Sequence, residues 1–140
     1  MDEDLLPDML TFEELSEGVL IAVQSYFLED QSNPDAGQYV WAYRVRISNQ
    51  NPFPVKLLSR HWVITDGRGG VKEVQGNGVI GEQPLIAPNQ SFVYTSGSPL
   101  NTPSGFMRGT YQMIDNAERI FTVAIPAFSL DSPYCSQGIN

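Results

Sequence analysis

The stretch Y-V-W-A-Y-R-V-R-I-S-N, residues 39 to 49, alternates large apolar residues with small, polar or charged ones. Its odd-numbered positions from Tyr39 to Ile47 are aromatic or β-branched, whereas the even-numbered positions include Arg44 and Arg46. Successive side chains of a strand point to opposite faces of a sheet, so this period of two predicts a strand with one buried face.

Similar strand-like runs recur along the chain at residues 19–27, 55–65, 71–75, 91–95, 106–114 and 120–125. The pair Asp66-Gly67 marks a turn, and the four residues 115–118 suit a hairpin connection. Frequent prolines leave no room for a long helix. Seven to eight short strands predict an all-β fold, an antiparallel β-sandwich. Much of its core is expected from Trp41, Tyr43, Val45, Ile47, Phe92, Tyr94, Tyr111, Phe121 and Val123.

The net charge of −8 is distributed unevenly. Residues 1–17 carry seven acidic residues and no basic one, and the other 123 residues carry nine acidic and eight basic ones. An acidic arm on a near-neutral body offers no basic surface, so neither nucleic acid nor a membrane is expected as a partner.

The acidic arm, residues 1–17, is expected to be disordered or to form a short helix, ahead of a domain at 18–131 and a tail at 132–140. Thr11 and Glu14 have the spacing of a capping box, but so short a helix is marginal without packing. Deletion of the arm is therefore expected to remove little buried area.

Three features predict a cytoplasmic protein. Cys135 is the single cysteine, so no disulfide within the chain calls for an oxidising compartment. The N-terminus is acidic and lacks the apolar core of a secretory signal peptide. The apolar run at residues 19–23 is too short to span a bilayer.

The stretch V-Q-G-N-G-V-I-G-E-Q-P, residues 74 to 84, contains the spacing G-x-G-x-x-G at Gly76, Gly78 and Gly81. In a dinucleotide-binding fold these glycines must open a helix, and Pro84 prevents one here. The dinucleotide motif also requires a later acidic residue that binds the ribose, and no Asp or Glu occurs between Glu82 and Asp115. The glycines are therefore predicted to form a tight turn or bulge, with an anion-binding concavity as the alternative.

The chain resembles the ApaG family over about residues 18–131. The motifs that carry the resemblance are Y-V-W-A-Y-R-V-R-I-S-N, L-L-S-R-H-W-V-I-T-D-G, the glycine stretch extended to L-I-A-P, F-V-Y-T-S-G, T-P-S-G-F-M-R-G-T-Y-Q-M and I-P-A-F-S-L. Gly76, Gly78 and Gly81 match the family's glycine motif, whereas Asn89 stands where the family usually has glycine.

The resemblance implies an immunoglobulin-like or fibronectin type III-like sandwich. Bacterial members are linked by name, the CorD designation, to cobalt and magnesium homeostasis. The same module occurs in eukaryotes within an F-box protein and a DNA-polymerase-delta-interacting protein, which implies a protein-binding role.

The residues themselves offer little reactive chemistry. His61 is the single histidine, and it is predicted to be a strand residue with a hydrogen-bond partner rather than a metal ligand. Weak surface coordination by Glu73 or Glu82 is the remaining metal hypothesis. No nucleophile elbow, phosphate-binding lysine motif or zinc-protease motif occurs.

The sequence therefore predicts a non-enzymatic binding module with a protein partner, without a cofactor or a metal site. The alternative is a small-ligand binder that holds phosphate, pyrophosphate or a phosphorylated ligand at Gly76, Gly78 and Gly81, or a hydrolase of such a ligand. A homodimer through a sheet edge is a further hypothesis.

Overall fold

The computed structural model describes residues 4–134, whose regular structure is almost entirely β. Two single-turn 3-10 helices, residues 29–31 and 34–36, lie between the second and third strands. No helix in this part of the chain has the length and hydropathy needed to cross a bilayer. The strands are β1 Phe12–Ser16, β2 Val19–Phe27, β3 Tyr39–Asn49, β4 Val55–Asp66, β5 Val71–Asn77, β6 Leu85–Ile86, β7 Ser91–Leu100, β8 Ser104–Asp115 and β9 Ile120–Asp131.

The strands form two antiparallel sheets that pack face to face. The first sheet has the order β1-β2-β3-β7, and the second has the order β5-β4-β8-β9 with the two-residue β6 paired to β4. The predicted all-β, immunoglobulin-like sandwich is confirmed. Seven of the strands match runs predicted from the sequence, and the additional ones are β1, in the acidic arm, and β6.

The core fills the space between the sheets with the residues that the alternation marked as inward. Trp41, Val45 and Ile47 are fully buried, and each lies two or four residues from the next on β3. Eight of the nine core residues predicted above are buried, while Phe92 is half-buried and packs against them. The period of two in the sequence therefore identified the buried face.

The acidic arm differs from its prediction, because residues 12–16 form a strand rather than a short helix or a disordered segment. This strand pairs with β2. The side chain of Gln24 is buried on β2 and makes three hydrogen bonds to the arm. Its Oε1 atom accepts from the Leu6 N–H at 2.9 Å. Its Nε2 atom donates to the Leu6 carbonyl at 2.6 Å and to the Thr11 hydroxyl at 2.9 Å. These contacts with β2 outweigh the local capping signal.

The two sides of the sandwich differ. On one side β1 and β2 contact β9, where the Ala124 N–H donates to the Ser16 hydroxyl at 2.9 Å and the Ser25 hydroxyl donates to the Ser129 carbonyl at 2.8 Å. On the other side the edge strands β7 and β5 end their sheets without a strand between them. The sandwich is therefore closed on one side and open on the other.

Candidate functional site

A two-residue turn ends the glycine motif. Val79 and Glu82 face each other, and the N–H of each donates to the carbonyl of the other at 2.8 Å. Between them Ile80 has φ 44° and Gly81 has φ 80°. Positive φ at both central residues is the geometry of a type I′ turn, which connects tightly twisted antiparallel segments.

The other two glycines of the motif allow close approach. Gly76 pairs with Arg60 across β5 and β4, and the Arg60 guanidinium lies over its backbone. Nη1 of Arg60 donates to the carbonyls of Asn77, at 3.0 Å, and Gly78, at 2.9 Å. Gly78 is buried with φ 64°, and its N–H donates to the Leu58 carbonyl at 2.8 Å.

This geometry assigns the glycine motif a role in shaping the chain. The N–H groups of Gly78, Val79 and Glu82 all donate to backbone carbonyls. An anion-binding concavity requires successive N–H groups that point at the ligand. The hypothesis of a phosphate or pyrophosphate ligand at Gly76, Gly78 and Gly81 gains no support from this backbone and stays a prediction.

His61 lies on β4 as predicted, with its side chain partly exposed. Its Nε2 atom lies 2.7 Å from Oε1 of Glu73 on β5, so the predicted hydrogen-bond partner is present. Across residues 4–134 no three His, Cys, Asp or Glu side chains come close enough to form a metal site. Cys135 lies outside the described residues.

A cleft of about 540 Å³ occupies the open side of the sandwich. Its walls come from β4, β5 and β7 and from the turn that joins β4 to β5. Tyr43 and Trp62 pack edge to face at its base, with ring centroids 5.2 Å apart. The volume lies within the range of small-ligand pockets. Its apolar lining includes Tyr43, Trp62, Ile64, Val74, Leu100 and Met107.

Two polar side chains of the cleft have capacity for further interactions. Ser98 is only 3% exposed, and its hydroxyl makes no hydrogen bond to any described residue. Arg60 takes part in none of the ion pairs found between residues 4 and 134. Buried polar groups are nearly always hydrogen-bonded to protein or to ordered water, so the Ser98 hydroxyl can bond a water molecule or a ligand group in the cleft.

The charge of Arg60 also acts on the base of the cleft. Burial raises the pKa of the Tyr43 hydroxyl, while the side chain of Ser96 and the positive charge of Arg60 partly offset that rise. Tyr43 is therefore a neutral hydroxyl at physiological pH, next to a cation. The inner end of the cleft combines a positive charge with hydroxyl groups.

Sequence reasoning did not find this site. Arg60 and Ser98 are far apart in sequence and belong to different sheets, and no local motif relates them. The available signal was the run S-F-V-Y-T-S-G-S-P-L, residues 91–100, in which hydroxyl residues occupy inward positions at the end of a strand. Serine next to glycine and proline is also typical of turns, but these serines lie on β7.

The fold and the cleft define an antiparallel β-sandwich domain that is open along one side. The family model of the ApaG domain matches residues 29–115. The chain belongs to the ApaG domain family, which confirms the resemblance found in its motifs.

Relatives of known name match over nearly their whole length. Protein ApaG of Paramagnetospirillum magneticum is 50% identical over 129 residues, which cover 92% of this chain and 99% of that protein. Protein ApaG of Agrobacterium fabrum is 50% identical over 126 residues, 90% of this chain and 97% of that protein. A crystal structure described as an ApaA protein of Bordetella pertussis is 48% identical, with a TM-score of 0.80, and the match covers 82% of this chain and 94% of that one.

Proposed function

We propose that the protein is a non-enzymatic, cytoplasmic protein-binding module that takes an extended segment of a partner protein along the edge of β7. The observation that carries the proposal is that β7 is a ten-residue edge strand without a charged residue. It runs beside the cleft, so a segment paired with it could also place side chains there.

Edge strands usually carry features that prevent pairing with other chains. Charged side chains, prolines and short length are the common ones. The edge strand β1 has only five residues and includes Glu13 and Glu14, and β5 carries Lys72 and Glu73. On β7 the only such feature is Pro99, next to its last residue. The rest of the strand is free of these obstacles.

Pairing with β7 would use backbone groups that its own sheet leaves over. In an antiparallel sheet every second residue of an edge strand directs its N–H and carbonyl away from its neighbour. β7 pairs only with β3, so the opposite side of its backbone faces outward. Peptide-binding domains that add a strand to a sheet edge gain affinity from such bonds and specificity from neighbouring pockets.

An association with cobalt or magnesium homeostasis fits the same proposal. The described residues bring no three metal-ligating side chains together, and His61 is already paired with Glu73. We therefore infer that any effect on metal levels acts through the partner protein rather than through a metal bound by this domain.

The test introduces a charge on the β7 edge without disturbing the fold. At Gly97 an added Cβ would make only ordinary contact, 3.4 Å from the Trp41 carbonyl, so Gly97→Lys should fold normally. Gln112→Lys is the matched control, because Gln112 is exposed on β8, a strand with neighbours on both sides. Proteins captured from a cell extract by the wild type should be lost with Gly97→Lys and kept with Gln112→Lys.

Two other outcomes would contradict the proposal. Capture that is equal for the wild type and Gly97→Lys would show that the partner binds elsewhere. A homodimer in solution that Gly97→Lys converts to a monomer would assign the β7 edge to a second copy of this chain.

A further inference from the structure

Resting on this proposed function, we propose that the cleft between β5 and β7 receives an acidic side chain of the bound segment. Arg60 supplies the opposite charge and the Ser98 hydroxyl supplies a hydrogen-bond donor. The inference assigns a recognition site and the chemistry of the group that it takes.

The Ser98 hydroxyl is the first observation. It is buried within the cleft and has no partner among the described residues. An unsatisfied buried hydroxyl makes the folded state less stable than a satisfied one would. The hydroxyl is therefore free to donate a hydrogen bond to a group that enters the cleft.

Arg60 is the second, independent observation. Its Nη1 atom holds the carbonyls of Asn77 and Gly78, while its Nε and Nη2 atoms have no partner in residues 4–134. A guanidinium group binds a carboxylate through two parallel hydrogen bonds, and Nε with Nη2 forms one of the edges suited to this geometry. The backbone contacts fix the group in place and leave that edge available.

Strand register orders these groups along the cleft. Ser96 pairs with Tyr43, Ser98 pairs with Trp41 on the same strands, and Leu100 follows two residues further on. From Ser96 to Leu100 the cleft extends about 13 Å at the usual rise of a strand. This length accommodates alternate side chains of an extended segment, an acidic one near Arg60 and an apolar one near Leu100.

The charge of the cleft favours an acidic side chain. Two cations, Arg60 and Lys72, and one carboxylate, Asp66, line it, whereas the whole chain carries −8. The Asp66 carboxylate is already bound by the N–H groups of Arg68 and Gly70, at 2.8 and 2.9 Å. The cleft is thus a locally positive site on an acidic protein.

The experiment selects peptides from a random decapeptide library displayed on phage, with the full chain as bait. The selected peptides are expected to share an Asp or Glu flanked by apolar residues. Binding of one such peptide, measured by calorimetry, should weaken about tenfold or more with Ser98→Ala and with Arg60→Gln. Arg60→Lys should recover part of the loss, and Gln112→Ala should bind as the wild type does.

Replacing the peptide's acidic residue with its amide identifies the contact. The amide peptide should bind the wild type about tenfold more weakly, yet it should bind Arg60→Gln as well as the acidic peptide does. Ser98→Ala should unfold no more easily than the wild type, which separates lost binding from lost folding.

The outcomes distinguish this inference from the proposed function. Selected peptides that lack an acidic residue, or whose binding ignores Arg60 and Ser98, would overturn the inference and leave edge binding intact. A selection that recovers no binding peptide would count against both. Peptides that bind Gly97→Lys as well as the wild type would overturn the proposal that the partner pairs with the β7 edge, but they would leave intact the inference that the cleft receives an acidic side chain.

Discussion

The backbone of Gly76 lies directly beneath the guanidinium group of Arg60, so that a Cβ on this glycine would lie 2.8 Å from Nη2. The absence of a side chain lets the guanidinium reach the carbonyls of Asn77 and Gly78. The same contact joins the glycine motif to the cleft, because Arg60 lines that cleft. The motif therefore acts on the candidate site by holding Arg60 in place.

Alanine substitutions in the glycine motif should form a graded series. At Gly78 a Cβ would collide with the Glu82 carbonyl, and the backbone there has a positive φ that alanine rarely adopts. Gly78→Ala should therefore lose about 3 kcal/mol or more of unfolding free energy. At Gly81 the φ is positive but no atom lies within 4 Å, so Gly81→Ala should lose about 1 kcal/mol. Urea unfolding measures both.

Gly76→Ala should lose more unfolding free energy than Gly81→Ala and less than Gly78→Ala. Of the three variants it should weaken peptide binding most, because its Cβ would displace the Arg60 guanidinium. Its φ is unstrained, and the group it would displace is the end of a flexible side chain. Calorimetry with pyrophosphate tests the alternative, that the glycine motif binds a ligand. Micromolar binding by the wild type that Gly76→Ala or Gly81→Ala abolishes without loss of stability would restore the ligand hypothesis for this motif.

Removal of the Gln24 side chain should detach the start of the acidic arm. Gln24→Ala breaks three hydrogen bonds that hold Leu6 and Thr11, and it should lower the unfolding free energy by about 2 kcal/mol. For a domain of this size the loss corresponds to about 7 °C in the unfolding midpoint. Gln112→Ala, at an exposed position, is the control. An unchanged midpoint for Gln24→Ala would show that these three hydrogen bonds contribute nothing to stability.

The hydroxyls of Tyr94 and Tyr111, buried and 2.5 Å apart, should make the protein sensitive to alkali. Burial raises the pKa of both above the ordinary value of 10.0. The unfolded chain then loses these protons first, so their contribution to stability is complete below about pH 10 and declines above it. Above about pH 10, ionisation of each tyrosine in the unfolded chain should lower the unfolding free energy by up to about 1.4 kcal/mol per pH unit.

Unfolding by urea at a series of pH values measures this slope. The double variant Tyr94→Phe/Tyr111→Phe should show a flatter alkaline decline than the wild type. Either single variant leaves one buried hydroxyl unpaired, so the double variant should be more stable than the two single losses added together predict. Equal slopes for the wild type and the double variant would rule out these tyrosines as the cause.

The sequence predicted the sandwich and its core because both depend on alternation within one strand, as in the run from Tyr39 to Ile47. It could not predict β1, because the capping-box spacing of Thr11 and Glu14 is local, whereas the contact with Gln24 depends on the folded position of β2. The sequence also could not predict the cleft. Arg60 and Ser98 both line the cleft because β5 and β7 end their sheets on the same side, and sheet order is not encoded in a single run of residues.

Replacement of Ile80 should stabilise the protein. Ile80 is a β-branched residue with φ 44°, a conformation that such residues rarely adopt, and its side chain is half exposed. Asn followed by Gly is the preferred pair for a type I′ turn, and Gly81 is already in place. Ile80→Asn should therefore gain about 1 kcal/mol, because it relieves backbone strain and gives up little buried area.

Leu85→Asn is the control, since Leu85 is 70% exposed and is not among the residues with positive φ. It should show no comparable gain in urea unfolding, and a loss of stability with Ile80→Asn would mean that packing of the isoleucine outweighs the strain. A gain has a further consequence, because an exposed apolar side chain kept on a strained turn is a common property of functional surfaces. If Ile80→Asn is more stable but captures less of the partner, the turn is part of the docking surface. Unchanged capture would confine that surface to β7 and the cleft.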